Sequence, residues 1–346
     1  MRPVNKRRQR YHIVPQMEIY DSIPRVLLPY ITTTTQPDFH STVVNTDELG
    51  FRVSHINKSI VDSRTWWDFD ERAVVIGGST VFGIGASKDT TTISSQLGDL
   101  TNTAFLNLGI RAGNSTQELI ATLPFIGESR NIVICSGINN LLVNLQSIGI
   151  NDLYGPLFAE EVLHDLSTYS IHEIRESLKS TLKNINTRTI LNELSSRVIS
   201  LLTGRGRIIN KRRDSSYRPI EDAFNQALSI QCRDLNFMAK AMPNKDRLIF
   251  ISQPFGEVES KNRTIEEQQL FEISDSMQGS QWELMKSQLV DMWPRYVADL
   301  RKFCQAEGIE FYCLDDLQFN GWTFVDRVHL TDNGYGQIAR FISSKL

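Results

Sequence analysis

The stretch AVVIGGSTVFGIG, residues 73–85, decides how this chain is read. Ala73 to Ile76 is a short apolar run rich in β-branched residues, Gly77-Gly78 closes it, and Ser79 opens the next segment. A run this short, apolar on both alternate positions, predicts a strand buried on both faces, the kind that parallel sheets use. Four more such runs lie downstream: AFLNLG (104–109), NIVICSG (131–137), RLIFISQP (247–254) and IEFYCLDD (309–316). Between them the sequence predicts helices over 90–100, 115–128, 217–241 and 281–307. The alternation implies βαβ crossovers, and so an α/β fold with a parallel sheet covered by helices on both faces.

Two portions leave this rhythm. Residues 1–70 include YITTTTQPDFHSTVVNTDELGFRV (30–53), lack a helical period, and are expected to form an extension packed on a main domain spanning 71–346. Trp66 and Trp67 are expected to seat that extension on the sheet. Residues 148–216 carry Ile171, Ile174, Leu178, Leu182 and Ile185 at helical spacing, which predicts a helical insertion between the third and fourth strands. It ends in the basic stretch TGRGRIINKRRDSS (203–216).

The chain has 346 residues, 40% of them hydrophobic and 22% charged, as in ordinary soluble globular proteins. A net charge of -3 gives no global reason to expect a nucleic-acid partner. Basic clusters at Lys6, Arg7, Arg8 and Arg10, and at Arg205, Arg207, Lys211, Arg212 and Arg213, read as solvated surface. Cys135, Cys232, Cys304 and Cys313 are widely spaced and form no CxxC pair. Neither a structural zinc nor a disulfide framework is expected, and a reducing compartment fits. No HExxH or comparable spacing occurs, so no metal and no cofactor are expected. No apolar run reaches 18 residues and the N-terminus lacks an apolar signal core, so a soluble, cytoplasmic protein without a transmembrane segment is expected.

Ligands of open parallel sheets bind beyond the carboxyl ends of the strands, so the residues just after each strand carry the function. After the first strand, Gly77 and Gly78 allow a tight turn that presents Ser79. The pattern is neither a GxSxG elbow nor a GxGxxG dinucleotide loop. After the second, in NLGIRAGNSTQEL, Gly113 or Gly109 can bring a backbone N–H close to a reacting carbonyl, while Ser115 or Thr116 can cap a helix with Glu118 adding charge in its first turn. After the third, SGINNLL offers the Asn139 amide. After the fifth, DRVHLTDNGY sets Asp326 three residues before His329, with Thr331 as a cap for a final helix. His12, His40, His55, His164 and His172 lack a partner pattern of this kind.

Serine, glycine, asparagine and Asp-x-x-His, in that order along the strands, resemble the SGNH (GDSL-type) hydrolase family over roughly residues 72–345. The resemblance implies a three-layer, flavodoxin-like fold with a five-stranded parallel sheet. It also implies Ser79 as nucleophile, Asp326 and His329 as its partners, and Ser79, Gly113 and Asn139 as the oxyanion hole. The sequence departs from the family pattern in three places. Gly78 stands where that family has Asp, Asn140 stands where it has a second Asp, and the segment before Gly113 is one residue longer.

What the resemblance implies is a serine esterase working through an acyl-enzyme. With no broad apolar stripe near the proposed site, a small acyl group, acetyl above all, is expected, and a soluble chain with a large extension and insertion suits a hydrophilic acceptor such as a sugar or glycan precursor. An O-acyltransferase, a thioesterase or a lysophospholipase would use the same residues. A catalytically silent ligand-binding module is the reading outside enzymes.

Overall fold

The computed structural model describes residues 3–28, 30–147, 153–158, 219–242, 248–258, 262–278 and 282–346. Apart from 153–158, the expected insertion at 148–216 and its basic stretch lie outside the described residues. Nine strands are described in chain order: β1 (Arg25–Leu28), β2 (Thr32–Thr35), β3 (Ser54–Ile56), β4 (Ser59–Val61), β5 (Arg72–Gly77), β6 (Ala104–Gly109), β7 (Ile132–Ser136), β8 (Leu248–Ser252) and β9 (Glu310–Cys313). β1–β2 and β3–β4 are antiparallel pairs; the last five form one sheet of order β6-β5-β7-β8-β9 with every neighbour parallel.

Alternation along these strands feeds two cores. Val74, Ile76, Leu106, Leu108, Ile134 and Phe250 point to one face, where Phe224 and Leu235 of helix Ile220–Ala241 and Trp293 and Leu300 of helix Trp282–Glu307 cover them. Val75, Phe105, Val133, Cys135, Ile249 and Ile251 point to the other, beneath Ile93 and Leu97 of helix Ile93–Thr101 and Tyr335, Ile338 and Ile342 of helix Asp332–Ser343. The result is a three-layer α/β fold, because strands buried on both sides can only be continuously apolar. β5 comes first in the sheet, yet its neighbours β6 and β7 lie on opposite sides of it. The crevice where the strand order reverses therefore opens beyond the end of β5.

The structure corrects several local expectations. The N-terminal stretch is not without helices: Pro3–Ile13 and Met17–Ser22 are both helical. They place Val14, Met17 and Tyr20 against Leu270 and Phe82. Helix Ile265–Met277, absent from the sequence reading, begins with a reciprocal Thr264–Glu267 capping box. The helix expected over 115–128 ends at Thr122, just ahead of Pro124, which has no N–H to continue it.

Residues 1–70 are tied into the sheet by buried polar contacts. Trp66 is fully buried and its indole N–H lies 2.9 Å from Ala73 O and 3.1 Å from Ala104 O, at the starts of β5 and β6. Arg52 is also fully buried and pairs with Asp89 at 2.7 Å. Its remaining N–H groups donate to the Phe82 and Gly83 carbonyls, to Val43 O and to the Tyr20 hydroxyl. Phe82 and Gly83 end the short helix that starts at Ser79, so this guanidinium sits at the negative end of that turn.

Candidate active site

Ser79 is the first residue of the four-residue helix Ser79–Phe82, directly after β5. The turn needs its glycines for closeness. A Cβ on Gly77 would lie 2.1 Å from Cys135 O, and one on Gly78 would lie 2.5 Å from the Asn139 side-chain amide. Any side chain at Gly78 would therefore crowd the Asn139 amide.

The end of the chain meets this turn across the crevice. His329 Nε2 lies 2.7 Å from Ser79 Oγ, and His329 Nδ1 lies 2.7 Å from Asp326 Oδ2. Asp326 Oδ1 accepts the backbone N–H groups of His329 at 2.9 Å and Val328 at 3.0 Å. Burial alone would raise the Asp326 carboxyl, but the charge and hydrogen bond of His329, with the two backbone N–H groups, outweigh it and hold it at about 2. An ionised Asp326 requires the proton of a neutral imidazole on Nδ1. Nε2 is then a lone pair that accepts the Ser79 hydroxyl proton.

The loop that carries this pair is braced on both sides. Val325 N–H donates to His329 O and Thr331 N–H to Thr323 O, closing a narrow hairpin. Thr331 caps the last helix, accepting from Gly334 N–H at 3.3 Å. Asp332 accepts from Ser87 N–H and Thr91 Oγ1, both at 2.7 Å, and Thr80 Oγ1 donates to Val328 O at 3.0 Å. The residue after the nucleophile thus holds the residue before the histidine.

The donors facing the serine differ from the expected set. Ser79 N–H, at the start of its helix, has no acceptor among the described residues. Asn139 donates one amide hydrogen to Gly113 O at 2.7 Å and keeps a second. Gly113 itself is a correction: its N–H donates to Ile110 O at 2.9 Å. The extra residue before it is absorbed by Ala112, whose φ of 61° lets the chain close that turn and spends the N–H expected to donate. Gly113 enters the site as an acceptor that orients Asn139, and Gly109 ends β6 with its N–H held by the Asn107 side chain.

Asn140 has a definite task. Its side chain accepts from Ser115 N–H at 2.8 Å and donates to Ser115 Oγ at 2.7 Å. The adjacent asparagines 139 and 140 thereby clamp Gly113 and Ser115. Ser115 and Thr116 are not the cap expected of them: Asn114 caps the helix in a reciprocal box with Gln117, and both hydroxyls donate to Asp234 Oδ2, at 2.7 and 2.8 Å. Nor does Glu118 supply charge. It is fully buried, burial chiefly raises its carboxyl to about 8, and it accepts from Ser136 Oγ at 2.8 Å.

A cavity of about 440 Å³ adjoins His329 and Asn139. Ile138, Leu142, Phe255, Trp282, Met285 and Leu289 give it an apolar lining that no single stretch of sequence displays. The absence of an apolar stripe near the site is thus a property of the sequence order alone.

No family model and no curated protein matches the chain. Among solved structures, an extracellular lipase from Streptomyces rimosus shares 10% identity at a TM-score of 0.41, covering 80% of this chain and 100% of that one. Est24, a carbohydrate acetylesterase from Sinorhizobium meliloti, shares 10% at 0.38, covering 80% and 98%. Phospholipase A1 from Streptomyces albidoflavus NA297 shares 10% at 0.39, covering 80% and 99%. Likeness this distant carries no argument about chemistry, which rests on the geometry above.

Proposed function

We propose that the protein is a serine hydrolase of the SGNH type that cleaves ester bonds through an acyl-enzyme. One observation carries the reading. Ser79 and His329, 250 residues apart, meet at 2.7 Å while Asp326 holds the other imidazole nitrogen. A serine hydroxyl becomes a competent nucleophile only when such a base takes its proton. As Ser79 Oγ attacks the ester carbonyl, its proton passes to His329 Nε2, and Asp326 stabilises the imidazolium. Ser79 N–H and the second amide hydrogen of Asn139 are the donors available to the developing oxyanion. His329 returns the proton to the departing alcohol, then takes one from the water that attacks the acyl carbon and gives it to Ser79 Oγ as the acid leaves.

The acetyl group suggested by the sequence fits this reading less well than a longer acyl chain, given the apolar cavity beside Asn139 and His329. A hydrophilic alcohol part remains compatible with it. The test is the pair His329→Ala and Asp326→Asn, assayed on p-nitrophenyl esters. Both are expected to lose activity while remaining folded, His329→Ala by orders of magnitude. Asp326→Asn, which disturbs the tautomer, is expected to lose up to roughly 10⁴-fold. Near-full turnover by His329→Ala would overturn the reading, and no turnover of any ester by the wild type would favour a binding module.

A further inference from the structure

The cavity beside the histidine is built from several separate elements. Ile138 and Leu142 come from helix Ile138–Gln146, whose second residue is Asn139. Phe255 follows β8, and its N–H is fixed by Asp315 at 3.0 Å. Trp282, Met285 and Leu289 line one stretch of helix Trp282–Glu307. Leu142, Trp282 and Met285 are only half-buried, so their apolar surface is open to a ligand.

Asp275 joins this wall to the chemistry. Its Oδ1 accepts the Trp282 indole N–H at 2.7 Å and Arg327 Nε at 2.9 Å, while Oδ2 accepts Lys286 Nζ at 2.8 Å. Arg327 sits between Asp326 and His329 in sequence, and also pairs with Glu257. One carboxylate therefore sets both the aromatic wall of the cavity and the loop that presents His329. A preformed apolar cavity with convergent polar groups at one side is the usual form of a small-molecule site.

Resting on the esterase reading, we propose that this cavity is the acyl site and that it takes an unbranched acyl chain well beyond acetyl. Three features support the choice. The cavity adjoins both Asn139 and His329, where the carbonyl carbon attached to Ser79 has to lie. An engineered cavity of about 150 Å³ already holds a benzene ring, so one of about 440 Å³ leaves an acetyl group largely uncontacted. Most of the lining surface is apolar, from Ile138, Leu142, Phe255, Trp282, Met285 and Leu289, and Gln146, Ser274 and Gln278 also reach it. Met285 lies in that lining and is half-buried, so a larger side chain there would shorten the space left for a chain.

The test uses two series of esters with the full-length protein. In the first, acyl length runs from acetyl to dodecanoyl on p-nitrophenol. kcat/KM is expected to climb roughly fourfold per methylene from acetyl until the cavity is filled, then to fall. In the second, the acyl group stays acetyl while the alcohol lengthens, and no comparable climb is expected. Met285→Trp and the milder Met285→Phe, the second keeping the test decisive if the first folds poorly, should move the optimum to shorter chains. A flat or declining acyl series overturns the proposal, as does a climb that follows the alcohol or an optimum indifferent to Met285. Each of those results leaves Ser79-dependent hydrolysis intact, whereas activity that survives Ser79→Ala would instead remove the esterase reading beneath it.

Discussion

Replacing Arg52 with Ala removes a charge from a site with no solvent contact. The guanidinium bonds Asp89 Oδ1, the Tyr20 hydroxyl and the carbonyls of Val43, Phe82 and Gly83. After truncation, the partners Asp89 keeps among the described residues are the backbone N–H and side-chain amide of Asn45. Val43 and Phe82 lose a donor, while Gly83 O keeps the Tyr20 hydroxyl. Breaking a buried ion pair from one side costs about 3–5 kcal/mol. Against a total stability of about 5–15 kcal/mol, that is a large share. Urea unfolding followed by tryptophan fluorescence should show the midpoint falling with little change in slope. Arg52→Lys should recover only part of the loss, because one ammonium cannot reach acceptors spread around a planar fork. A loss below about 1 kcal/mol would refute the view that residues 1–70 brace the turn carrying Ser79.

Three further outcomes are expected. Asn139→Ala should lower kcat by roughly 10²–10³ with KM nearly unchanged, measured in steady state on the best ester; a rise confined to KM would place Asn139 in ground-state binding. Glu118, raised to about 8 by burial, favours the fold while protonated, so its contribution is complete below the unfolded carboxyl range and is lost as pH rises through about 8. Glu118→Gln should thus gain melting temperature over wild type as pH goes from 6 to 10, and parallel curves would contradict this. Asp326, held at about 2, contributes stability above the ordinary carboxylate range that disappears as pH falls through about 2; acid unfolding of Asp326→Asn should show a shallower dependence there.

Much of the fold was legible because β5 to β9 are buried on both faces and so appear as short unbroken apolar runs. Ser79, Asp326 and His329 were legible because residue type and strand order mark them, and their meeting follows from the sheet topology. The helix Pro3–Ile13 was not, since its run of Lys6 to Arg10 shows no apolar period and packing against the Ile265–Met277 helix holds it. That second helix is signalled in the sequence by Thr264 and Glu267, which form its capping box. The engagement of the Gly113 N–H depends on Ala112 adopting a left-handed conformation, which residue type does not reveal. The cavity was invisible for another reason: Leu142, Phe255, Trp282 and Met285 come from separate elements and converge only after folding.

The central claim is that Ser79 is the activated nucleophile, and covalent labelling tests it most directly. A fluorophosphonate probe is expected to modify the wild-type protein once, with peptide mass spectrometry locating the adduct on Ser79, and Ser79→Ala is expected to stay unmodified while folded. Equal labelling of Ser79→Ala, mapped to another serine, would contradict it.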